Sequence, residues 1–141
     1  MFVKFRQDNF DENDERARTK AKELLSKRYT VIDNPDPYDI DLICYKDNKI
    51  ICYVEVEVKN LWQGQEFPWN EVNVPRRKSK YFIKYKNSYY IMFNTDLTSC
   101  LIADRVTMLQ SRIVEIPNKR NPEGEYFLKV PYEKMFHHKN I

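Results

Sequence analysis

Glycine is scarce in this chain: of 141 residues, only Gly64 and Gly124 are glycine. A Walker loop and the dinucleotide fingerprint each need several glycines at fixed offsets and are excluded, so nucleotide-triphosphate and dinucleotide chemistry is not expected. No apolar run approaches the roughly 20 residues of a membrane span, and Met1–Asp8 lacks the apolar stretch and cleavage site of a secretory signal. Histidine is confined to His137 and His138. With no serine or cysteine and acid arranged around them, they read as tail residues and offer no triad. Cys44, Cys52 and Cys100 are odd in number and lack metal-type spacing. Cys44 and Cys52 fall in strand-like apolar runs, which suits buried reduced thiols and an intracellular, cytoplasmic setting. The formal net charge is only +3, so the chain is not broadly basic, and the distribution of charge matters more than its sum.

What is present argues for a folded protein. Hydrophobic residues make up 42% and aromatics 14%, and 141 residues suit one domain spanning 1–141. Residues 8–28 read as a helix, with acids crowding its start, bases following, and Ala17, Ala21, Leu24 and Leu25 forming its apolar stripe. Asp14, three residues before Ala17, shares that inward face. A short strand is expected at Tyr29–Ile32, and residues 39–45 and 50–59 form a hairpin. An aromatic, partly polar loop covers 60–74, and a helix begins in 75–86 with Pro75 in its first turn. Strands follow at Ser88–Asn94 and Ser99–Asp104, then a short helix at Val106–Arg112 and a late strand at Glu125–Val130. This order implies an α/β or α+β fold with a sheet sandwiched by helices.

The hairpin carries the chemistry. On a strand Glu55, Glu57 and Lys59 share one face while Val54, Val56 and Val58 take the other. Asp39 and Asp41 on the preceding strand can join the carboxylates. Like charges directly opposed on a sheet repel by up to roughly 1 kcal/mol, a cost better tolerated when a cation settles among them. A magnesium site with a lysine beside it is therefore plausible. Alternating charge and valine also describes a strand with one solvated face. The apolar run Ile50–Val54 tips the balance, because it implies a central strand whose polar end is partly enclosed.

Register decides whether the acids meet: cross-strand partners share a face, so Asp41 sits with Glu55 only if the numbers of paired residues sum to an even value. A two-residue Asp47-Asn48 turn pairs Lys46 with Lys49, an odd sum, and separates them. A three-residue loop pairs Lys46 with Ile50 and puts Asp41 opposite Glu55 and Asp39 opposite Glu57. A site thus requires an odd-length loop or a bulge.

The second signal is Pro75–Lys86, with Arg76, Arg77, Lys78, Lys80, Lys84 and Lys86 interleaved with aromatics and no acid. Cations at this density neutralise phosphates, so nucleic acid is the favoured partner. Trp62 and Trp69 read as loop anchors or core, with a stacking platform left open.

Asp41 followed by Glu57-Val58-Lys59, with an acidic-faced helix before and a basic helix after, resembles the PD-(D/E)XK nuclease superfamily over roughly residues 8–105. The resemblance implies a restriction-endonuclease-like α/β fold, a central mixed sheet flanked by helices, and Mg²⁺-dependent endonuclease activity on DNA. Mn²⁺ would substitute for the metal. Carried over, Asp41 and Glu57 are metal ligands, Val58 adds its backbone oxygen, and Lys59 orients the attacking water. Asp14, Asp39 and Glu55 are further candidate ligands. A bare single domain of this kind suits structure-selective substrates such as four-way junctions and a homodimer. The alternative is a non-catalytic nucleic-acid-binding module that retains the fold.

Overall fold

The computed structural model describes residues 15–117 and 124–141. Asp14 lies outside them, as does the start of the expected first helix. The helix α1 covers residues 15–25. Ala17 and Ala21, one turn apart, are fully buried, as the apolar stripe requires. After α1 come β1 (Thr30–Asp33), β2 (Leu42–Lys46), β3 (Lys49–Val58) and β4 (Glu71–Pro75). A single 3₁₀ turn at Arg76–Lys78 leads into α2 (Ser79–Lys84). The rest of the chain supplies β5 (Ser88–Phe93), β6 (Ser99–Asp104), α3 (Arg105–Leu109), β7 (Arg112–Ile116), β8 (Glu125–Pro131) and β9 (Phe136–Lys139).

The fold is mixed α and β. A six-stranded sheet runs β1-β2-β3-β5-β6-β9. Its β3–β5 pair is parallel and the other pairs are antiparallel. The parallel pair requires a long crossover, and β4, the 3₁₀ turn and α2 supply it. A second sheet, β4-β8-β7, is antiparallel throughout. The expected sandwich of helices is thus corrected. One face of the main sheet packs Leu42, Cys44, Val54, Val56, Ile91 and Phe93 against α1. The opposite face packs Tyr90, Met92, Leu101 and Ala103 against Val72, Val74, Leu128 and Val130 of the small sheet, and against Phe82 and Met108 of the short helices.

Three strands differ from expectation. β4 lies inside the expected aromatic loop, with Val72 and Val74 alternating inward. β7 begins at Arg112, the last residue of the expected helix, and continues where no strand was expected. β9 contains His137 and His138, which are not tail residues: Ser99 Oγ lies 2.7 Å from His137 Nε2 and Tyr132 Oη lies 2.7 Å from its Nδ1. Both ring nitrogens are therefore engaged, and burial holds the imidazole below its ordinary pKa. All three cysteines are buried free thiols, and Cys44 stands directly opposite Cys52. Among the described residues no helix is long and apolar enough to cross a membrane.

The hairpin resolves the parity question in a specific way. Asp47 and Asn48 both take positive φ, 53° and 62°, the backbone of a two-residue type I′ turn. Lys46 pairs with Lys49 and Tyr45 with Ile50, the register that separates the acids. The register then shifts between Cys44 and Tyr45, so that Cys44 pairs with Cys52 and Leu42 with Val54. Ile51 is the extra residue of this bulge and is half-exposed. Continuing the shifted register by one residue sets Asp41 beside Glu55. β3 is central, between β2 and β5, but its burial runs opposite to expectation. Ile50 and Ile51 at the turn are exposed, and Val54–Val56 are enclosed.

Because Ile51 has no cross-strand partner, a chain lacking it keeps Cys44 opposite Cys52 and Asp41 beside Glu55. We expect the deletion to lower the melting temperature only slightly and to leave far-UV circular dichroism unchanged. Deleting Tyr53, which is paired on both sides, should unfold the hairpin.

Candidate functional site

The polar face of β3 is built by alternation. Val54 and Val56 point to α1, so Glu55 and Glu57 point to the opposite face. Glu55 is only 5% exposed. Its Oε1 accepts a 3.3 Å hydrogen bond from the Asp41 amide, and the Asp41 carboxylate in turn accepts a 2.8 Å bond from the Val56 amide. These reciprocal bonds lock the end of β2 to β3. Glu57 accepts a short hydrogen bond from the buried hydroxyl of Tyr90 on the neighbouring strand.

The cation among these carboxylates is Lys78. Its Nζ lies 3.1 Å from Glu55 Oε2 and 3.3 Å from Glu57 Oε1, and the residue is 9% exposed. The 3₁₀ turn after β4 is what aims it inward, while Arg76 and Arg77 beside it stay exposed. Burial draws the ammonium's pKa down, but Glu57, Glu55 and Asp41 outweigh it and hold the group charged well above the ordinary lysine range. Three carboxylates against one ammonium still leave surplus negative charge in an enclosed place. Glu55 answers it: burial pushes its carboxyl up to about 8, Lys78 opposes that rise, and the Asp41 charge adds to it. Tyr81, one helical turn beyond Lys78, feels the same surplus. Burial first, then the Glu55 and Asp41 charges, raise its phenol.

The remaining candidates are dispersed. Asp39 does not reach Glu57. Its Oδ2 accepts bonds from Lys84 Nζ at 2.8 Å and Tyr85 Oη at 2.6 Å, which tie the loop before β2 to the end of α2. Partial burial opposes ionisation there, but these two bonds outweigh it and hold the carboxyl below its ordinary range. Val58 ends β3, and Lys59 continues the polar face but turns away from the acids, with its Nζ 5.9 Å from the Trp69 ring centroid. Among the described residues Lys59 forms no ion pair. Of the basic segment, Arg76, Arg77, Lys80, Lys84 and Lys86 are exposed. Arg76 lies 5.8 Å from the Tyr126 ring centroid, and Lys80 lies 5.1 Å from that of Tyr81. Lys78 differs from expectation by facing the acids. Sequence reasoning missed Tyr90 as a partner of Glu57, because a tyrosine in an apolar strand gives no sign of its strand neighbour.

The donor set is hard carboxylate oxygen, which suits Mg²⁺ in chemistry. Among the described residues, however, no group of three or more His, Cys, Asp or Glu side chains converges in an arrangement able to hold a metal ion. Lys78 occupies the space between Glu55 and Glu57. No protein-family model, curated protein or solved structure matches this chain.

Two outcomes follow from this electrostatic arrangement. Removing the ammonium with Lys78→Met takes a donor from Glu55 and the counter-charge from Glu57, and should cost about 1–3 kcal/mol of stability in denaturant titrations at neutral pH. Folded Glu55 keeps its proton to about 8, whereas the ordinary value is 4.5. Its contribution to stability is therefore full below 4.5 and is lost as pH rises through 8. Glu55→Gln should lack that decline, so the stability difference between variant and parent should widen in the variant's favour as the pH rises over that interval.

Proposed function

We propose that this protein is a metal-dependent endonuclease with a restriction-endonuclease-like fold, hydrolysing phosphodiester bonds in DNA. The observation that carries the reading is the bulged register of the hairpin, which gathers Asp41, Glu55 and Glu57 on one enclosed face. A sheet gains nothing in stability from opposing carboxylates. Their assembly beside a single buried ammonium is the kind of perturbed cluster that marks functional sites.

In this reading Asp41 and Glu57 would be the residues to hold Mg²⁺, with Glu55 and the Val58 carbonyl as further donors, and the ion would have to displace Lys78 from between Glu55 and Glu57. When bound, the ion supplies charge neutralisation at the phosphate and eases deprotonation of the attacking water. The chain's own residues do the rest. Tyr90 fixes the Glu57 carboxylate, and the Val56 amide fixes that of Asp41. Lys78, set against the acids, takes the role the motif would give to Lys59. It orients water and stabilises charge that develops on the phosphate. The exposed bases Arg76, Arg77, Lys80 and Lys86 steer the DNA backbone toward this face. Cutting both strands suits a homodimer, and a bare domain suits structured substrates such as four-way junctions.

A second reading rests on the same ammonium. With Lys78 already neutralising part of the cluster, the chain would be a non-catalytic nucleic-acid-binding module. Cleavage of supercoiled plasmid, linear duplex and a synthetic four-way junction with Mg²⁺, Mn²⁺ or EDTA separates the two. The nuclease reading expects metal-dependent cutting that falls at least about a hundredfold in Glu57→Gln and in Lys78→Gln, with DNA affinity retained. Lys59→Ala should cut more than either. Binding without cutting would establish the module, and neither cutting nor binding would leave only a polar sheet face.

A further inference from the structure

We infer that the cavity beyond the end of β3 is a subsite for one unpaired nucleotide, its base stacked on Trp69. This rests on the nucleic-acid reading above and names the part of the substrate it would hold. The cavity measures about 390 Å³ and is lined by Lys59, Phe67, Trp69, Asn73 and Lys129, among others.

The two tryptophans of the 60–74 segment have opposite fates. Trp62 is fully buried and donates its indole N–H to the Glu66 carbonyl at 2.9 Å, an anchor for the loop. Trp69 is 40% exposed and opens on the cavity. Its ring is nonetheless held. Phe67 meets it edge-on at 5.3 Å between centroids, and Phe67 is itself stacked on Tyr132 at 5.5 Å. Lys59 Nζ lies 5.9 Å from the Trp69 ring centroid, so a stacking base would share the ring with that ammonium or displace it. A ring already held by its neighbours loses little freedom when covered.

The polar groups around it match a nucleotide. Lys59 and Lys129 both line the cavity, and the acid there, Glu71, is already bound through both oxygens to Arg112 at 3.0 Å. Phosphate therefore meets cations whose neighbouring carboxylate is neutralised. Asn73 Oδ1 is buried with no hydrogen-bond partner among the described residues. A buried acceptor left without a partner is costly. The place is apt as well. Lys59 stands two residues beyond Glu57 on the same strand face, about 7 Å along the strand. A nucleotide held here continues a strand lying across the carboxylates. Duplex DNA cannot offer a free base face, so the subsite selects single-stranded or locally opened substrates.

The test follows tryptophan emission as oligo(dA) is added in EDTA, with a duplex of equal length as control. Single strands should quench the parent, and the duplex should not. Trp69→Ala should bind single strands about tenfold more weakly, with Trp69→Phe recovering most of that loss. Lys129→Ala should weaken binding and flatten its salt dependence. Absence of quenching, or single-strand affinity unchanged in Trp69→Ala, would overturn the subsite. Because metal is absent, the result is separable from the nuclease reading. Quenching without plasmid cleavage keeps the subsite and removes the nuclease. Cleavage lost in Glu57→Gln, with Trp69→Ala binding single strands like the parent, does the reverse.

Discussion

The ammonium of Lys78, held 3.1 Å from Glu55 and 3.3 Å from Glu57, is the contact on which the polar half of this structure depends. Without it, three carboxylates would share an enclosed sheet face with only hydrogen-bond donors to temper them. The chain route that delivers it is set by the sheet. β3 and β5 are parallel, so the chain must cross over between them. The crossover brings β4, the 3₁₀ turn and α2 across the acid face. A turn placed there can insert one side chain into the cluster while its neighbours remain in solvent. The burial of Lys78 beside exposed Arg76 and Arg77 is that arrangement.

The hairpin was legible in outline, and its decisive detail was legible as a condition. Alternation along Val54–Lys59 fixed which side chains share a face, and parity fixed that the acids meet only with an odd loop or a bulge. Asp47-Asn48 tolerates the positive φ of a two-residue turn, so the condition could be met only further along the strand, at Ile51. Nothing in the side chain of Ile51 announces a bulge. Its cause is tertiary: Leu42, Cys44, Val54 and Val56 must all face α1 together, and only the shifted register allows that beside a tight turn. Packing selected the register, and the acids met as a consequence.

Other features were illegible for different reasons. β4 alternates correctly but is short and hidden among loop-forming residues, and β7 is short with no buried alternation to announce it. The strand Phe136–Lys139 has no apolar alternation at all, and its order comes from edge pairing with β6 and from His137 between Ser99 and Tyr132. The basic segment misled in one residue. Six cations without an acid read as one surface, because sequence shows charge density and not direction. Asp39 misled by proximity: two residues from Asp41, it is drawn instead to Lys84 and Tyr85. The expected continuation of pairing past Asp41 gives way to a loop.

Lys59 and Lys78 stand in places opposite to those that the motif spacing suggests. Lys59 follows Glu57 along the strand, but the strand ends at Val58 and the chain turns there toward Trp62 and the aromatic loop. Its side chain is carried off to Trp69. The vacated position beside the carboxylates is filled from the crossover by Lys78. A lysine on a separate element can be positioned without distorting the strand that holds the acids. The residue thus released contributes a cation to a cavity one step farther along. One strand face then carries, in order, an acid cluster with its own counter-charge and an aromatic pocket with two ammoniums. If the nucleic-acid reading proposed above holds, a single strand on this face would run from the acid cluster toward Trp69.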